Sequence, residues 1–526
     1  MTKMRRPFQR GLGGDSRRGQ VMILLTAALT VLMVLGGLAV DMIYAYTIKV
    51  RLVTAVDAVA LGVARALGRG VTISDQQTEA GRTAQMLFRS NFPSNFMLTG
   101  ATSLISVGPT IAGPNVPAGT YFETDATVPQ GVREVRLTGE LRIPLFFMRV
   151  FKSEIPIRAS ARAARRDVNV ALVLDRSGSM DDAWADLREA AIYFSDQFDN
   201  STDQLSIVTF GTGARVDLPL GTGFKTGDLA ANTIMGQSTP QRAFTNSPWG
   251  LWQGYAELLE NNDPNALNVI VFFTDGNPTS YTASFNVKTS PPSSGTRPWC
   301  DSSPVEAAIG TGGNFDWDVS NIQRFAPPYG QYPANIGPGG RDYVIVDGTG
   351  SNQICHSYAT SGSNRWLSSA PYAENVELVF ASGCLPQNWT PSYKNSTSPK
   401  TFSTEATTDG PSYGVNACDS SLKSTSSSSS LRGRHVHRTA KTLAVNVASD
   451  ARLRANSLGG AIVYTIGLGT LQIDDVFLKR LANDPLSPDA VINGTQTAGV
   501  YVPSPTPSQL RQAFQIVANH IFRLIS

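Results

Sequence analysis

The hydrophobic pattern opens with residues 21–40, VMILLTAALTVLMVLGGLAV, which carry no charged side chain. At helical rise such a run spans the roughly 30 Å hydrocarbon core of a bilayer. The stretch that follows, DMIYAYTIKVRLVTAVDAVALGVARAL, keeps helix-compatible apolar spacing and has no proline, so one transmembrane helix with an extension is expected over 20–69. A cleaved signal peptide has a shorter apolar core ending at a small-x-small site, and a retained anchor fits better. Over 70–165 the period changes to two. Val135, Leu137, Leu141 and Ile143 alternate with Arg136, Thr138, Glu140 and Arg142, and Ile155, Ile157, Ala159 and Ala161 alternate with Arg158, Ser160 and Arg162. That alternation predicts strands packed on one face and wet on the other, a small β-rich stalk or platform.

From residue 167 strands and helices alternate. VNVALVLD is an uninterrupted apolar run, as expected of a parallel strand buried on both faces. Trp184, Leu187, Ala191 and Phe194 then recur at helical spacing. The strand QLSIVTF, an edge strand near ARVDLPL, the helix SPWGLWQGYAELLE and the strand LNVIVFFTDG follow. After a long polar interval come the helix RTAKTLAVNVASDARLRAN, the strand AIVYTIGLG and the helix SQLRQAFQIVANHIFRLI. This order predicts an α/β fold, a doubly wound and mostly parallel sheet of Rossmann type with a large insertion, over 166–526.

Charge sets the direction of the anchor. Lys3, Arg5, Arg6, Arg10, Arg17 and Arg18 precede the apolar run against the single acid Asp15. This basic tail, residues 1–19, is expected to stay cytoplasmic, with the bulk of the chain on the far side. Overall, 44 basic residues nearly balance 41 acidic ones, so there is no footprint for nucleic acid.

The chemistry gathers where predicted strands end. In doubly wound sheets ligands bind outside the carboxyl ends of the strands. Asp175, Ser177 and Ser179 follow the first strand as DRSGS, Thr245 precedes a helix, and Asp275 ends the strand in FFTDG. Two carboxylates and three hydroxyls suit a hard divalent ion, and Mg²⁺ in particular is content with one or two carboxylates.

This pattern resembles the metal-ion-dependent adhesion site of von Willebrand factor A domains: Asp-x-Ser-x-Ser at Asp175, Ser177 and Ser179, then Thr245, then Asp275. The resemblance implies a divalent cation (Mg²⁺, with Mn²⁺ or Ca²⁺ as alternatives), Asp275 acting through water, and a protein ligand whose carboxylate completes the shell. At the other end, RRGQVMILL, Asp41 after GGLAV and the DAVAL of 57–61 resemble the N-terminal segment of TadE/TadG-like proteins of tight-adherence (Flp-type) pilus assembly. Processed pilin-like members carry Glu five residues after the cleaved Gly, whereas Leu24 stands there after Gly19. Together the resemblances imply a TadG-type protein of the bacterial inner membrane, single-pass, with its bulk periplasmic or at the cell surface. Its partners would include pilus or secretion-machinery components. A minor pilin-like structural component, or an adhesin unrelated to pili, is the alternative.

No enzyme is expected. Ser179 lies outside any Gly-x-Ser-x-Gly elbow and no Gly-rich loop ends in Lys-Ser/Thr. His435 and His437 read as a solvated basic helix start, and without a Cys-x-x-Cys pair zinc is unsupported. Cys300, Cys355, Cys384 and Cys418, all inside the interval 281–434, are candidate disulfide partners with three connectivities open. That interval is rich in Trp and Tyr, which argues for a folded insertion. Because it leaves the sheet just after Asp275, it is expected at the ligand-binding rim.

Overall fold

The computed structural model describes residues 16–66, 73–99, 110–113, 122–129, 131–211, 213–237, 244–285, 429–470, 473–487 and 494–525. Between 299 and 413 it describes 299–300, 305–310, 322–323, 355–356, 375–376, 387–391, 400–406 and 413.

Helix α1 (Ser16–Ala66) is continuous over 51 residues and changes character midway. Its first half is bare: Val21 to Leu35 are exposed throughout. From Tyr44 a stripe turns inward, with Ile48, Leu52, Val56, Val59 and Val63 all fully buried. Burying each such side chain is worth about 1.5–3 kcal/mol. The stripe packs on a sheet of order β2-β1-β3-β4, made of β1 (Thr110–Gly113), β2 (Phe122–Thr124), β3 (Val132–Pro144) and β4 (Glu154–Arg166). Strands β3 and β4 pair antiparallel from Val132↔Arg166 to Pro144↔Glu154. Their inward faces are those the alternation predicted, with Val135, Leu137, Leu141 and Ile143 on one strand and Ile157, Ala159 and Ala161 on the other.

Two features of this unit depart from expectation. Its first element is a helix, α2 (Ile73–Asn91), which lies on α1 through Ala80, Ala84 and Phe88. Two of those three side chains are single methyl groups among polar neighbours, too thin a stripe to read. The extension of the anchor is also no separate segment: it is the core helix of the β unit, so the units expected at 20–69 and 70–165 share one core.

Asp167 alone separates β4 from β5 (Val168–Asp175). At this joint Asp199 accepts from Arg133 Nη1 at 2.5 Å, Gln76 Nε2 at 2.5 Å and Arg165 Nη1 at 3.3 Å, while Arg165 Nη2 reaches Asp203 at 2.5 Å. All five side chains are buried. The platform and the following domain therefore meet through a desolvated ionic knot.

The second sheet continues with α3 (Trp184–Ser195), β6 (Gln204–Phe210), β7 (Ala214–Gly221), α4 (Leu229–Met235), α5 (Ser247–Asn261) and β8 (Leu267–Thr274). The interval holds β9 (Ser280–Phe285), β10 (Trp299–Cys300), β11 (Val305–Gly310), β12 (Ile322–Gln323), β13 (Cys355–His356), β14 (Asn375–Val376), β15 (Asn388–Trp389) and β16 (Phe402–Ser403). Then come α6 (Ser429–Arg452), β17 (Ile462–Leu468), α7 (Asp475–Ala482), β18 (Tyr501–Ser504) and α8 (Leu510–Ile525). The six-stranded sheet has the order β18-β17-β8-β5-β6-β7 and is parallel except for the β7 edge. Helices α5, α6 and α7 cover one face, and α3 and α8 the other. The predicted doubly wound fold is present, with α4, α7 and β18 added; each is short, and β18 contains a proline.

Within the insertion, β9 pairs with β11 and β15 with β16. Trp389 and Phe402 are buried and pack on Trp252 of α5. Trp389 also packs on Trp249 in the first turn of α5, and Thr282 of β9 accepts from the Asn246 side chain, so this part of the insertion is built into the α5/α6 layer beside the rim where it was expected. Cys300 and Cys355 are register partners in β10 and β13, and Cys384 and Cys418 lie outside the described residues.

Candidate metal site

Parallel pairing aligns the strand ends that carry the site. Leu174 of β5 pairs with Phe273 of β8, so the next residues, Asp175 and Thr274, stand side by side. The Thr274 hydroxyl donates to Asp175 Oδ2 at 2.5 Å, and the Ser177 amide donates to Asp175 Oδ1 at 2.7 Å. On the other flank Asp175 pairs with Phe210 of β6, whose carbonyl accepts from the Arg176 amide at 2.6 Å. The turn after Ser177 brings Ser179 back, so that the two serine hydroxyls are 3.2 Å apart. Ser179 Oγ then donates to Asp275 Oδ1 at 2.9 Å, which closes a chain from Asp175 to Asp275.

Thr245 comes in from a third loop. Asn246 caps α5 by accepting from the Trp249 amide at 3.2 Å, and its own amide donates to Gly211 just past β6. The Thr245 amide donates to Thr279 Oγ1, and its carbonyl accepts from the Thr279 amide, both at 2.9 Å. Thr279 belongs to the loop that starts at Asp275. All five residues singled out by sequence therefore sit at the carboxyl edge of the sheet. Four are linked directly by hydrogen bonds, and Thr245 is clamped to them through the backbone.

The electrostatics are unbalanced. Asp175 is fully buried and Asp275 half-buried, and among the described residues neither has a cationic partner. Burial, then the neighbouring Asp275 charge, pushes the Asp175 carboxyl up to about 7 against the hydrogen bonds from Thr274 and Ser177. Burial likewise raises Asp275, opposed by the hydroxyls of Ser179 and Ser177. Two like charges kept out of water, with neutral hydroxyls around them, are costly unless a proton or a cation joins them. The donor set is all oxygen, which fits a hard divalent ion. Among the described residues no group of three or more His, Cys, Asp or Glu gathers to hold a metal ion, so an ion at this edge would rely on the hydroxyls of Ser177, Ser179 and Thr245 beside the two carboxylates.

Three contributors escaped the sequence reading. Thr274 and Thr279 hold Asp175 and Thr245, and their only signal was adjacency to the motif. His437 was expected in solvent, yet its Nδ1 lies 2.6 Å from the Pro278 carbonyl of the Asp275 loop. Burial lowers its pKa, with Lys441 and Arg438 acting the same way against the Pro278 carbonyl and Asp474. His435 is buried beside it, because α6 docks its first turns on β9 and β11 rather than projecting into water.

Residues 169–293 match the family model of the von Willebrand factor type A domain, and residues 19–66 match the Flp pilus-assembly TadE/G-like model. No curated protein matches the chain. Among solved structures the chain is similar to the PilB minor pilin from Streptococcus sanguinis, at 14% identity and a TM-score of 0.35, over 80% of this chain and 78% of that one. It is also similar to the vWF domain of the type V pili tip protein Mfa5 from Porphyromonas gingivalis, at 14% identity and a TM-score of 0.31, over 69% and 98%. A third is proximal thread matrix protein 1 from the mussel byssus with a zinc-occupied MIDAS motif, at 10% identity and a TM-score of 0.28, over 68% and 48%.

Proposed function

Starting from a chain that joins a TadE/G-like pilus-assembly segment to a von Willebrand factor A domain, the TadG-type arrangement, we propose a membrane-anchored protein that engages a protein partner through a divalent cation at Asp175, Ser177, Ser179, Thr245 and Asp275. We assign Mg²⁺, with Mn²⁺ and Ca²⁺ as alternatives that titration separates. The single observation that carries the reading is the uncompensated Asp175–Asp275 pair, bridged by Ser177 and Ser179 at a sheet edge. When bound, the ion would supply an electrophilic site for a partner's carboxylate. The protein's own part is preorganisation. Thr274 and the Ser177 amide hold the Asp175 carboxylate in one orientation, and the Thr245–Thr279 clamp keeps the α5 loop in register with Asp275. Because the serines and threonine bring oxygen without charge, the site stays attractive to an incoming anion.

The role we assign is binding in tight-adherence pilus assembly or adhesion, without catalysis. The N-terminus would be cytoplasmic and the folded units on the outer side of a bacterial inner membrane. Support for the anchor is α1, whose Val21–Ala66 stretch is long and apolar enough to cross a bilayer. Calorimetric titration of the full chain in nanodiscs with Mg²⁺ and Mn²⁺ tests the site. Binding heat should vanish in Asp275→Ala and Thr245→Ala while circular dichroism is unchanged; equal binding by variants and wild type would overturn the assignment. A structural pilin-like role has one observation in its favour, the bare first half and packed second half of α1. Filaments containing the chain stoichiometrically would establish it.

A further inference from the structure

The tip of the β3–β4 hairpin is apolar where a water-facing turn should be polar. Between Pro144 and Glu154 the side chains of Phe146, Phe147, Val150 and Phe151 are exposed, Val150 at 89% and Phe151 at 77%. Arg149 and Lys152 stand among them, also exposed. A contiguous apolar cluster on a tight turn marks a surface that is covered in use.

The position of the tip says what covers it. The carboxylate of Asp41, the first residue after the apolar run of α1, accepts three consecutive backbone amides of the turn: Phe146 at 2.9 Å, Phe147 at 3.0 Å and Met148 at 2.8 Å. Tyr44 stacks edge-on to Phe146 with ring centroids 5.0 Å apart. Phe147 lies so close over Gly37 that a Cβ there would come within 2.6 Å of it. Gly37 is four residues inside Asp41, so the tip reaches about 6 Å down α1, alongside the apolar run itself. Whatever surrounds residues 21–40 must also meet Phe147, Val150 and Phe151.

The backbone is prepared for the same environment. Non-helical backbone is tolerated at membrane depth only when its polar groups are satisfied within the protein. Besides the three amides on Asp41, Leu145 donates to the Ser153 carbonyl, and Phe151 and Lys152 both donate to Met148. The tip withholds six of its amides from solvent.

We propose that the 145–153 hairpin tip is a membrane-contact site. Its phenylalanines and Val150 enter the interfacial region of the leaflet nearest the folded units, and Arg149 and Lys152 meet lipid phosphates. Asp41 is the fastener: by tying the tip to the end of the span it sets the height and tilt of the β platform on the bilayer. The proposal rests on reading α1 as a membrane span.

The test uses the full chain in vesicles of phosphatidylethanolamine and phosphatidylglycerol that contain a phosphatidylglycerol with a diazirine near the top of its acyl chain. After illumination, labelled peptides are mapped by mass spectrometry. Labelling is expected both in 21–40 and in 145–153. Asp41→Ala, and separately Val150→Asp with Phe151→Asp, should lose the hairpin labelling while keeping that of 21–40. Labelling confined to 21–40 overturns the proposal, as does crosslinking of 146–151 to a second copy, which would make the tip a protein contact. Absence of label in 21–40 would refute the span itself, so the two failures are distinguishable.

Discussion

Replacing Asp175 with Asn removes a charge and almost no volume, and the structure shows how the amide would be received. Its oxygen can accept from the Ser177 amide as Asp175 Oδ1 does, and its nitrogen faces the Thr274 hydroxyl. That hydroxyl can turn its own hydrogen to the Gly276 carbonyl, already 3.2 Å away. What disappears is a buried carboxylate with no cationic partner among the described residues. Its pKa rises from 3.8 to about 7 on folding without metal, so the folded state holds more protons than the unfolded one between those values. Wild-type stability without metal therefore falls as pH rises through that window, by about 4 kcal/mol in all. The metal-free Asp175→Asn protein should then be more stable than wild type by about 4 kcal/mol at pH 8, with no advantage at pH 4. Divalent ion at a hundredfold excess over its Kd should restore about 3 kcal/mol to wild type and nothing to the variant. Chemical denaturation of the full chain in detergent at pH 4, 6 and 8, with and without Mg²⁺, reads all three quantities. A wild type whose metal-free stability is flat across that range, or a variant stabilised by Mg²⁺ as much as wild type, would refute the reasoning.

Two further outcomes follow from packing. Asp199→Ala leaves the buried guanidinium groups of Arg133 and Arg165 short of a partner at the joint, which should cost about 3–5 kcal/mol. Thermal melting measures it, and a loss under about 1 kcal/mol would mean that the knot is dispensable. Gly254→Ala places a methyl 2.6 Å from Val173 Cγ2, between α5 and β5, and should cost about 1–3 kcal/mol. Because α5 carries Thr245 on its leading loop, Mg²⁺ affinity should fall with it in calorimetry; an unchanged melting temperature would contradict the close approach.

Patterns that repeat along the chain were readable without a structure. The apolar span, the inward faces of β3 and β4, and the doubly buried β5 follow from local periodicity, because each reports one environment seen by one element. The five site residues were readable too, since the ends of parallel strands are forced to one edge and the residue types at those ends name the chemistry. What needed the fold was every contact between elements remote in sequence. Nothing in Asp41 announces a hairpin more than 100 residues later, and nothing in Asp199 announces two arginines of another unit. His437 looked like solvent until helix docking placed it beside Pro278. The division has a physical cause: solvent exposure is averaged along an element and leaves a periodic trace, whereas a buried hydrogen bond depends on where two separate backbones come to rest. The sequence by itself determined the sheet and which oxygen-bearing residues reach its carboxyl edge; tertiary structure alone decided what orients those residues and which hairpin lies against the end of the apolar helix.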